Sequence, residues 1–78
     1  MQTEPEIKHV AQQLGVRLRQ WRLQKGWSQR HMADLVGLHR PNISRIEKGE
    51  THVPTLSILL RFSRVHSRTL AELFEGID

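Results

Sequence analysis

The chain has 78 residues, which suits one small domain with a modest hydrophobic core. It contains no cysteine, so disulfides and thiolate metal sites are excluded. No stretch approaches the roughly 18 consecutive apolar residues of a membrane span, and the acidic N-terminus lacks the apolar run of a signal peptide. The composition therefore predicts a cytoplasmic protein with no membrane partner.

Basic residues are concentrated in the middle of the chain. All 12 Lys and Arg residues lie between residues 8 and 68, where only three acidic residues occur, and the other five acidic residues lie near the two ends. A basic middle is typical of a surface that faces nucleic-acid phosphates. Ordinary solvated helix faces carry the same charge, so charge alone leaves both interpretations open.

The first predicted helix begins at a capping motif. Thr3 and Glu6 have the spacing of a capping box, and Pro5 is tolerated in the first turn. Apolar residues then recur at helical spacing along the segment. The helix is expected to run to about Lys25 and to stop at Gly26.

Two short helices follow, separated by a tight turn. Ser28 is a good N-cap for the second helix, and Gly37 suits the left-handed turn that ends it. The third helix is predicted at about Arg40–Lys48 and closes at Gly49. Its apolar stripe is narrow, so its other face must point at water or at a partner.

Two further helices are predicted between about residues 55 and 75. No segment shows the alternation of apolar and polar residues that strands show, and the chain contains no repeat and no long linker. We therefore predict an all-α fold of five helices.

Residues 28–49 carry a resemblance to a known family. Their sequence, SQRHMADLVGLHRPNISRIEKG, resembles the helix-turn-helix of the phage repressors and Cro, the Xre-like regulators. Ala33 stands where two helices cross, Gly37 stands at the turn, and Leu38, Ile43 and Ile46 occupy core positions. Two short helices at a steep angle need a small residue at the crossing and a flexible one at the corner, which Ala33 and Gly37 supply.

The flanks of the motif match as well. The segments LGVRLRQWRLQKGWSQ and PTLSILLRFSRVHSRTLAELFEG resemble the family's first helix and its fourth and fifth helices. The resemblance thus covers about residues 14–76. It implies a phage-repressor-like domain of five helices, which we place at residues 1–78 as a single domain, with double-stranded DNA as its partner.

The resemblance implies that the second helix of the motif lies in the major groove with its early residues at base edges. In this sequence the base-reading residues are Arg40, Pro41, Asn42 and Arg45. Arginine suits guanine, whose O6 and N7 accept its paired donors. For Arg40 base reading and phosphate binding both stay open, and for Asn42 we favour a phosphate.

The start of this helix is ambiguous because of Pro41. Proline suits the first helical position but disfavours helical dihedrals in the residue before it. Arg40 is therefore either the cap or the first helical residue. The family more often has Ser or Thr near the position of His39, and histidine is a poor cap.

The resemblance also implies phosphate contacts and one structural ion pair. Gln29 opens the second helix, where free backbone N–H groups attract an anion, and in the family this position binds a phosphate. The other candidates, each of which is otherwise a solvated polar side chain, are Arg17, Arg30, Ser44, Lys48 and Thr51. Arg22 and Glu47 match a family pair that joins the first helix to the end of the recognition helix.

A two-fold dimer is expected, since a chain of this length buries a small core and has apolar residues to spare. These residues lie partly outside the expected core phase of the fourth helix or on the fifth. The predicted interface consists of Ile58, Leu60, Val65, Leu70 and Phe74.

No residues form a catalytic or metal-binding pattern. The chain shows no evident group of nucleophile, base and orienting residue, no Gly-rich phosphate loop, and no metal-ligand spacing among its five histidines. We therefore predict no enzyme activity, no cofactor, no metal and no small-molecule ligand.

His66 stands where the family prefers leucine, which leaves open a buried helix tip or a pH-sensitive position. Trp21 and Trp27 are expected to pack in the core.

The leading hypothesis is a sequence-specific transcriptional regulator that binds double-stranded DNA at the nucleoid, as a homodimer on a pseudo-palindromic operator. Two alternatives stay open. One is an antitoxin-like module that binds a toxin protein and autoregulates its operon, and the other is the DNA-binding domain of a longer regulator that continues past residue 78. RNA binding is disfavoured because the aromatic platforms typical of RNA-binding proteins are absent.

Overall fold

The computed structural model describes residues 3–77, which contain five α-helices and no strand. The helices are α1 (Glu4–Gln24), α2 (Gln29–Val36), α3 (Arg40–Lys48), α4 (Leu56–Val65) and α5 (Leu70–Phe74). This arrangement confirms the predicted all-α fold and the order of its elements.

The start of α1 follows from its capping residue. The Oγ1 atom of Thr3 accepts a hydrogen bond from the backbone N–H of Glu6 at 3.4 Å, and Pro5 lies in the first turn, where it removes no helical hydrogen bond. Among the hydrogen bonds of residues 3–77, only this half of the predicted capping box is present. The helix ends at Gln24 with Lys25 as its C-cap, followed by Gly26 with a positive φ.

The helix-turn-helix corner forms as the turn residues predict. The Oγ atom of Ser28 accepts from the backbone N–H of His31 at 3.0 Å and caps α2. Gly37 has φ 72° and ψ 33°, a left-handed conformation that a residue with a Cβ adopts only at a cost. The predicted turn at Gly37 is confirmed.

The structure also settles where α3 begins. His39 is the N-cap, with extended dihedrals and no side-chain cap hydrogen bond, Arg40 is the first helical residue, and Pro41 is the second. The alternative in which Arg40 is the cap is therefore wrong. Pro41 has no backbone N–H, and the N–H of Asn42 donates to the carbonyl of His39 at 2.9 Å. The first turn of α3 therefore has few backbone N–H groups without a partner, although the side chain of His39 caps none of them.

The core is formed by one face of each helix. Its buried apolar side chains come from all five helices and are Leu14, Leu18, Trp21, Met32, Ala33, Val36, Ile43, Ile46, Leu59, Phe62 and Leu73. Trp27 is half-buried and packs against this cluster. The core positions predicted for α2, α3 and the two tryptophans are thus confirmed.

A close crossing of α1 over the end of α3 depends on glycine. A Cβ on Gly15 would overlap the carbonyl oxygen of Ile46 and would lie 2.7 Å from the carbonyl oxygen of Glu47. A Cβ on Gly49, the C-cap of α3, would lie 2.6 Å from the Cα of Gln12. The two helices therefore touch backbone to backbone, and this contact sets the position of α3 on the domain.

Candidate nucleic-acid interface

The two faces of α3 differ sharply in burial. Ile43 and Ile46 are buried against the other helices. The predicted base-reading residues Arg40, Pro41 and Arg45 are exposed, whereas Asn42 and the phosphate candidate Ser44 are half-buried. The fold therefore leaves one side of α3 exposed, with the guanidinium groups of Arg40 in its first turn and of Arg45 in its last turn.

The cations of the motif differ in their contacts from several arginines elsewhere. Arg30, Arg40, Arg45 and Lys48 are exposed, and within residues 3–77 they form no hydrogen bond or ion pair. Hydrogen bonds to other segments are donated by Arg17, Arg22, Arg61 and Arg68, of which only Arg22 is buried. A cleft of about 350 Å³ at the corner of the motif is lined by Arg30, Ala33, Asp34, Leu38, His39 and Arg40. The α2 and α3 side of the domain thus carries unpaired positive charge.

The predicted structural pair is present and extends to a third side chain. The Nε atom of Arg22 donates to Oε2 of Glu47 at 2.7 Å, and its Nη2 donates to Oε1 at 3.0 Å, in the two-pronged geometry of a strong guanidinium–carboxylate pair. Both residues are 7% exposed. Gln29 Nε2 donates to the same Oε1 atom at 3.1 Å. The sequence did not indicate this contact between a predicted phosphate ligand and the buried carboxylate.

Arg17, one of the predicted phosphate ligands, has its guanidinium occupied within the domain. It donates to the backbone carbonyls of Glu72 at 2.7 Å, Leu73 at 3.2 Å and Glu75 at 2.7 Å, at the end of α5. The carbonyl of Glu72 also accepts from the backbone N–H of Glu75 at 3.4 Å, and a cation near the end of a helix is favoured by the helix dipole. We therefore leave Arg17 out of the proposed DNA contacts and assign it to the attachment of α5 to α1.

The remaining phosphate candidate lies in the loop after α3. Thr51 is exposed, and its Oγ1 donates to the carbonyl of His52 at 3.1 Å. Lys48 at the end of α3 is exposed as well, whereas Gln29 at the start of α2 is half-buried. These residues stay predictions for phosphate binding.

The residues predicted for a dimer interface are all half-buried. Ile58, Val65, Leu70 and Phe74 pack against the core cluster, and within residues 3–77 Leu60 does not join it. Helical periodicity places Leu60 on the flank of α4 opposite Ile58 and Val65, and on the same flank as Leu56. The helical period of the sequence groups Leu56 with Leu59, Phe62 and Ser63, but these three residues are buried and Leu56 is 62% exposed, so its expected place among them is wrong.

His66 is a buried aromatic residue at the C-cap of α4. Its ring lies 5.3 Å from the ring of Trp21 and 5.3 Å from that of Trp27, and it is 3% exposed. Burial, followed by the charges of Lys25 and Arg68, lowers the pKa of His66 from 6.5 to about 4. The structure therefore shows the buried helix tip, and the alternative of a pH-sensitive position stays a prediction.

The lowered pKa of His66 predicts a dependence of stability on pH. The unfolded chain binds a proton at His66 near pH 6.5 and the folded chain only near pH 4, so the folded state loses stability as the pH falls through this interval. We expect the melting temperature to decrease between pH 6.5 and 4 in the parent protein, and to decrease less in His66→Leu. His52→Gln, at an exposed histidine, is the control and should keep the parent slope. Equal slopes in all three proteins would show that His66 is not the titrating group.

Membrane-spanning helices and metal-binding groups are both absent from residues 3–77. None of their helices is both long and apolar enough to cross a membrane. Within residues 3–77 there is no group of three or more His, Cys, Asp or Glu side chains placed to hold a metal ion.

Comparison with known proteins agrees with this geometry. A family model described as a helix-turn-helix domain matches residues 13–74. The crystal structure of the restriction-modification controller protein C.AhdI from Aeromonas hydrophila is similar to this chain at 34% sequence identity and a TM-score of 0.76, over 82% of this chain and 96% of that one. No curated protein sequence matches. The resemblance to Xre-like regulators is confirmed, and the chain belongs to the helix-turn-helix domain family of DNA-binding transcription regulators.

Proposed function

We propose that the protein is a sequence-specific transcriptional regulator that binds a pseudo-palindromic operator as a homodimer, with half-sites roughly 34 to 36 Å apart. One observation carries the proposal: the exposed face of α3 presents Arg40 and Arg45, which form no hydrogen bond or ion pair within residues 3–77, and the other face of the helix is buried. Unpaired guanidinium groups on a helix that fits the major groove suit recognition of guanine and phosphate.

The operator itself is the direct test. Selection of bound sequences from random duplexes, followed by affinity measurements in a salt series, should enrich a motif with two-fold symmetry and should give a steep decrease of affinity with salt. Failure to enrich any symmetric motif would contradict the proposed function. Competition with structured RNA in the same assay checks that duplex DNA is the preferred nucleic acid.

Two substitutions should separate base reading from phosphate binding. Arg45→Ala is expected to relax base preference at one operator position at a cost of about 1 to 3 kcal/mol on the preferred sequence. Gln29→Ala should weaken all sequences by a similar factor, because a phosphate contact carries no sequence information. Binding curves on the selected operator and on its single-base variants distinguish the two effects. The reverse outcome would mean that the wrong face of the motif has been assigned.

The proposed dimer uses the apolar surface of α4 and α5. Leu56 and Leu60 share a flank of α4, and half-buried Leu70 and Phe74 lie on α5, so this end of the chain leaves apolar side chains that a second copy can cover. We expect Leu60→Glu to shift the protein from dimer to monomer in sedimentation velocity. Leu23→Glu, at an α1 leucine that is 52% exposed, is the matched control and should remain dimeric. A monomeric parent protein, with and without DNA, would refute the dimer.

We further propose that the protein is a controller in a restriction-modification system. The similar solved structure is that of a restriction-modification controller protein, and the alignment covers 96% of that chain. The selected operator should then occur upstream of genes for a restriction endonuclease and a methyltransferase that adjoin the gene of this protein. An adjacent toxin gene instead would favour the antitoxin alternative.

A further inference from the structure

Gln29 occupies the position from which a side chain reaches an anion at the start of α2. It follows the N-cap Ser28 directly, so the first-turn backbone N–H groups and the positive end of the helix dipole lie beside it. A glutamine side chain has several rotatable bonds, and fixing it on a phosphate costs conformational entropy. The affinity that Gln29 contributes therefore depends on whether it is already fixed before DNA arrives.

Glu47 fixes it. The carboxylate is buried at the end of α3, where both oxygens accept hydrogen bonds from Arg22, and Oε1 also accepts from Nε2 of Gln29 at 3.1 Å. A buried carboxylate accepts and cannot donate, so the amide nitrogen of Gln29 must face it. One amide proton is used in this contact, and the second stays free to donate.

The same cluster also holds the backbone that leads into α2. The Nη1 atom of Arg22 donates to the carbonyl of Trp27 at 2.8 Å, one residue before the N-cap Ser28. Arg22 thus ties α1 to the loop before α2, and Glu47 ties α3 to the first side chain of α2. The predicted phosphate ligand and the recognition helix are therefore held in register by one set of hydrogen bonds.

We propose that Glu47 is a positioning residue for DNA binding, which acts by fixing the Gln29 side chain before the phosphate is bound. This inference rests on the proposed function, because it assigns Gln29 to a phosphate. Glu47 itself touches no DNA in this mechanism. Its effect on affinity passes through Gln29.

A double-mutant cycle tests the coupling on the selected operator. Gln29→Ala is expected to reduce affinity about fivefold in the parent protein, the effect of one hydrogen bond, and less than twofold in the Arg22→Leu, Glu47→Met background, which lacks the acceptor of the Gln29 amide. The matched control is Lys48→Ala, an exposed neighbour on α3, whose effect should multiply with that of Gln29→Ala and should also lower the salt slope. Circular dichroism at the assay temperature checks that each variant is folded. An unchanged fivefold effect of Gln29→Ala in both backgrounds would overturn the proposal.

A second measurement needs no variant and no DNA. In the labelled full chain, ¹⁵N relaxation of the Gln29 side-chain amide should give an order parameter close to that of the rigid backbone, about 0.85, while the exposed Gln20 side chain should stay well below about 0.6. A Gln29 amide as mobile as that of Gln20 would overturn the proposal even if the Arg22→Leu, Glu47→Met variant does not fold. If the parent protein binds no DNA, the proposed function fails, whereas additive effects on an operator that is bound refute the positioning role alone.

Discussion

Replacing Gly15 by alanine is expected to lower the free energy of unfolding by about 3 kcal/mol, the upper part of the usual range for overpacking. The added methyl group would overlap the carbonyl oxygen of Ile46 and crowd that of Glu47, and both atoms belong to backbone that cannot turn aside as a flexible side chain does. For a domain of this size the melting temperature should fall by roughly 12 to 24 °C. Thermal unfolding followed by circular dichroism measures the effect.

The sign of this effect makes the test specific. At an ordinary exposed helix position alanine is more stable than glycine by about 0.5 to 1 kcal/mol. Gln20, exposed on the same helix, supplies the control pair Gln20→Gly and Gln20→Ala, which should show the ordinary order. An alanine at position 15 that stabilises the protein would show that α1 and α3 do not meet as described.

Arg22→Leu is expected to have an effect of similar or larger size. The substitution removes both hydrogen bonds from the guanidinium to Glu47 and leaves that carboxylate buried with only the amide of Gln29 as a partner. Breaking one side of a buried ion pair costs about 3 to 5 kcal/mol, and the carbonyl of Trp27 loses a donor as well. Chemical denaturation should therefore show an unstable or unfolded protein.

A rescue separates the loss of the pair from the burial of an unpaired charge. Replacing Arg22 and Glu47 together by apolar residues removes the charge, so Arg22→Leu combined with Glu47→Met should recover most of the lost stability. Arg19→Leu, at an exposed arginine of α1, is the control and should change stability by less than about 0.5 kcal/mol. A double variant as unstable as Arg22→Leu would indicate that packing around the guanidinium, and not the buried charge, is what the fold requires.

Local features of the sequence predicted most of the fold. Ser28 and Gly37 bound α2 because capping and left-handed turns depend on one or two neighbouring residues, and these are visible in the sequence. The same is true of the periodic core residues of α1 and α3. The Arg22–Glu47 pair was predicted through resemblance to a family, since no rule of spacing joins residues 25 positions apart.

Contacts between distant segments were the part that sequence reasoning missed. Gly15 lies in the middle of a long helix, and the spacing of apolar residues along that helix does not indicate that the backbone of α3 passes beside Gly15. Arg17 carries the positive charge of a phosphate ligand, and only the folded chain shows that its guanidinium donates hydrogen bonds to carbonyls at the end of α5. The exposure of Leu56, which the helical period groups with the buried residues of α4, was likewise not predicted. Each of these depends on tertiary packing, which local periodicity does not encode.

Because the arginines that hold the fold together differ from those that face outward, the DNA sequence that such a regulator recognises can change separately from its stability. The side chains of Arg40 and Arg45 form no hydrogen bond or ion pair within residues 3–77, so their replacement leaves the internal hydrogen bonds of the domain intact. In the proposed role, a descendant or an engineered variant can thus acquire a new operator without first gaining stability elsewhere. Substitutions that change binding preference therefore lower the stability of the domain little on the exposed face of α3, whereas substitutions at the buried end of the same helix lower it strongly.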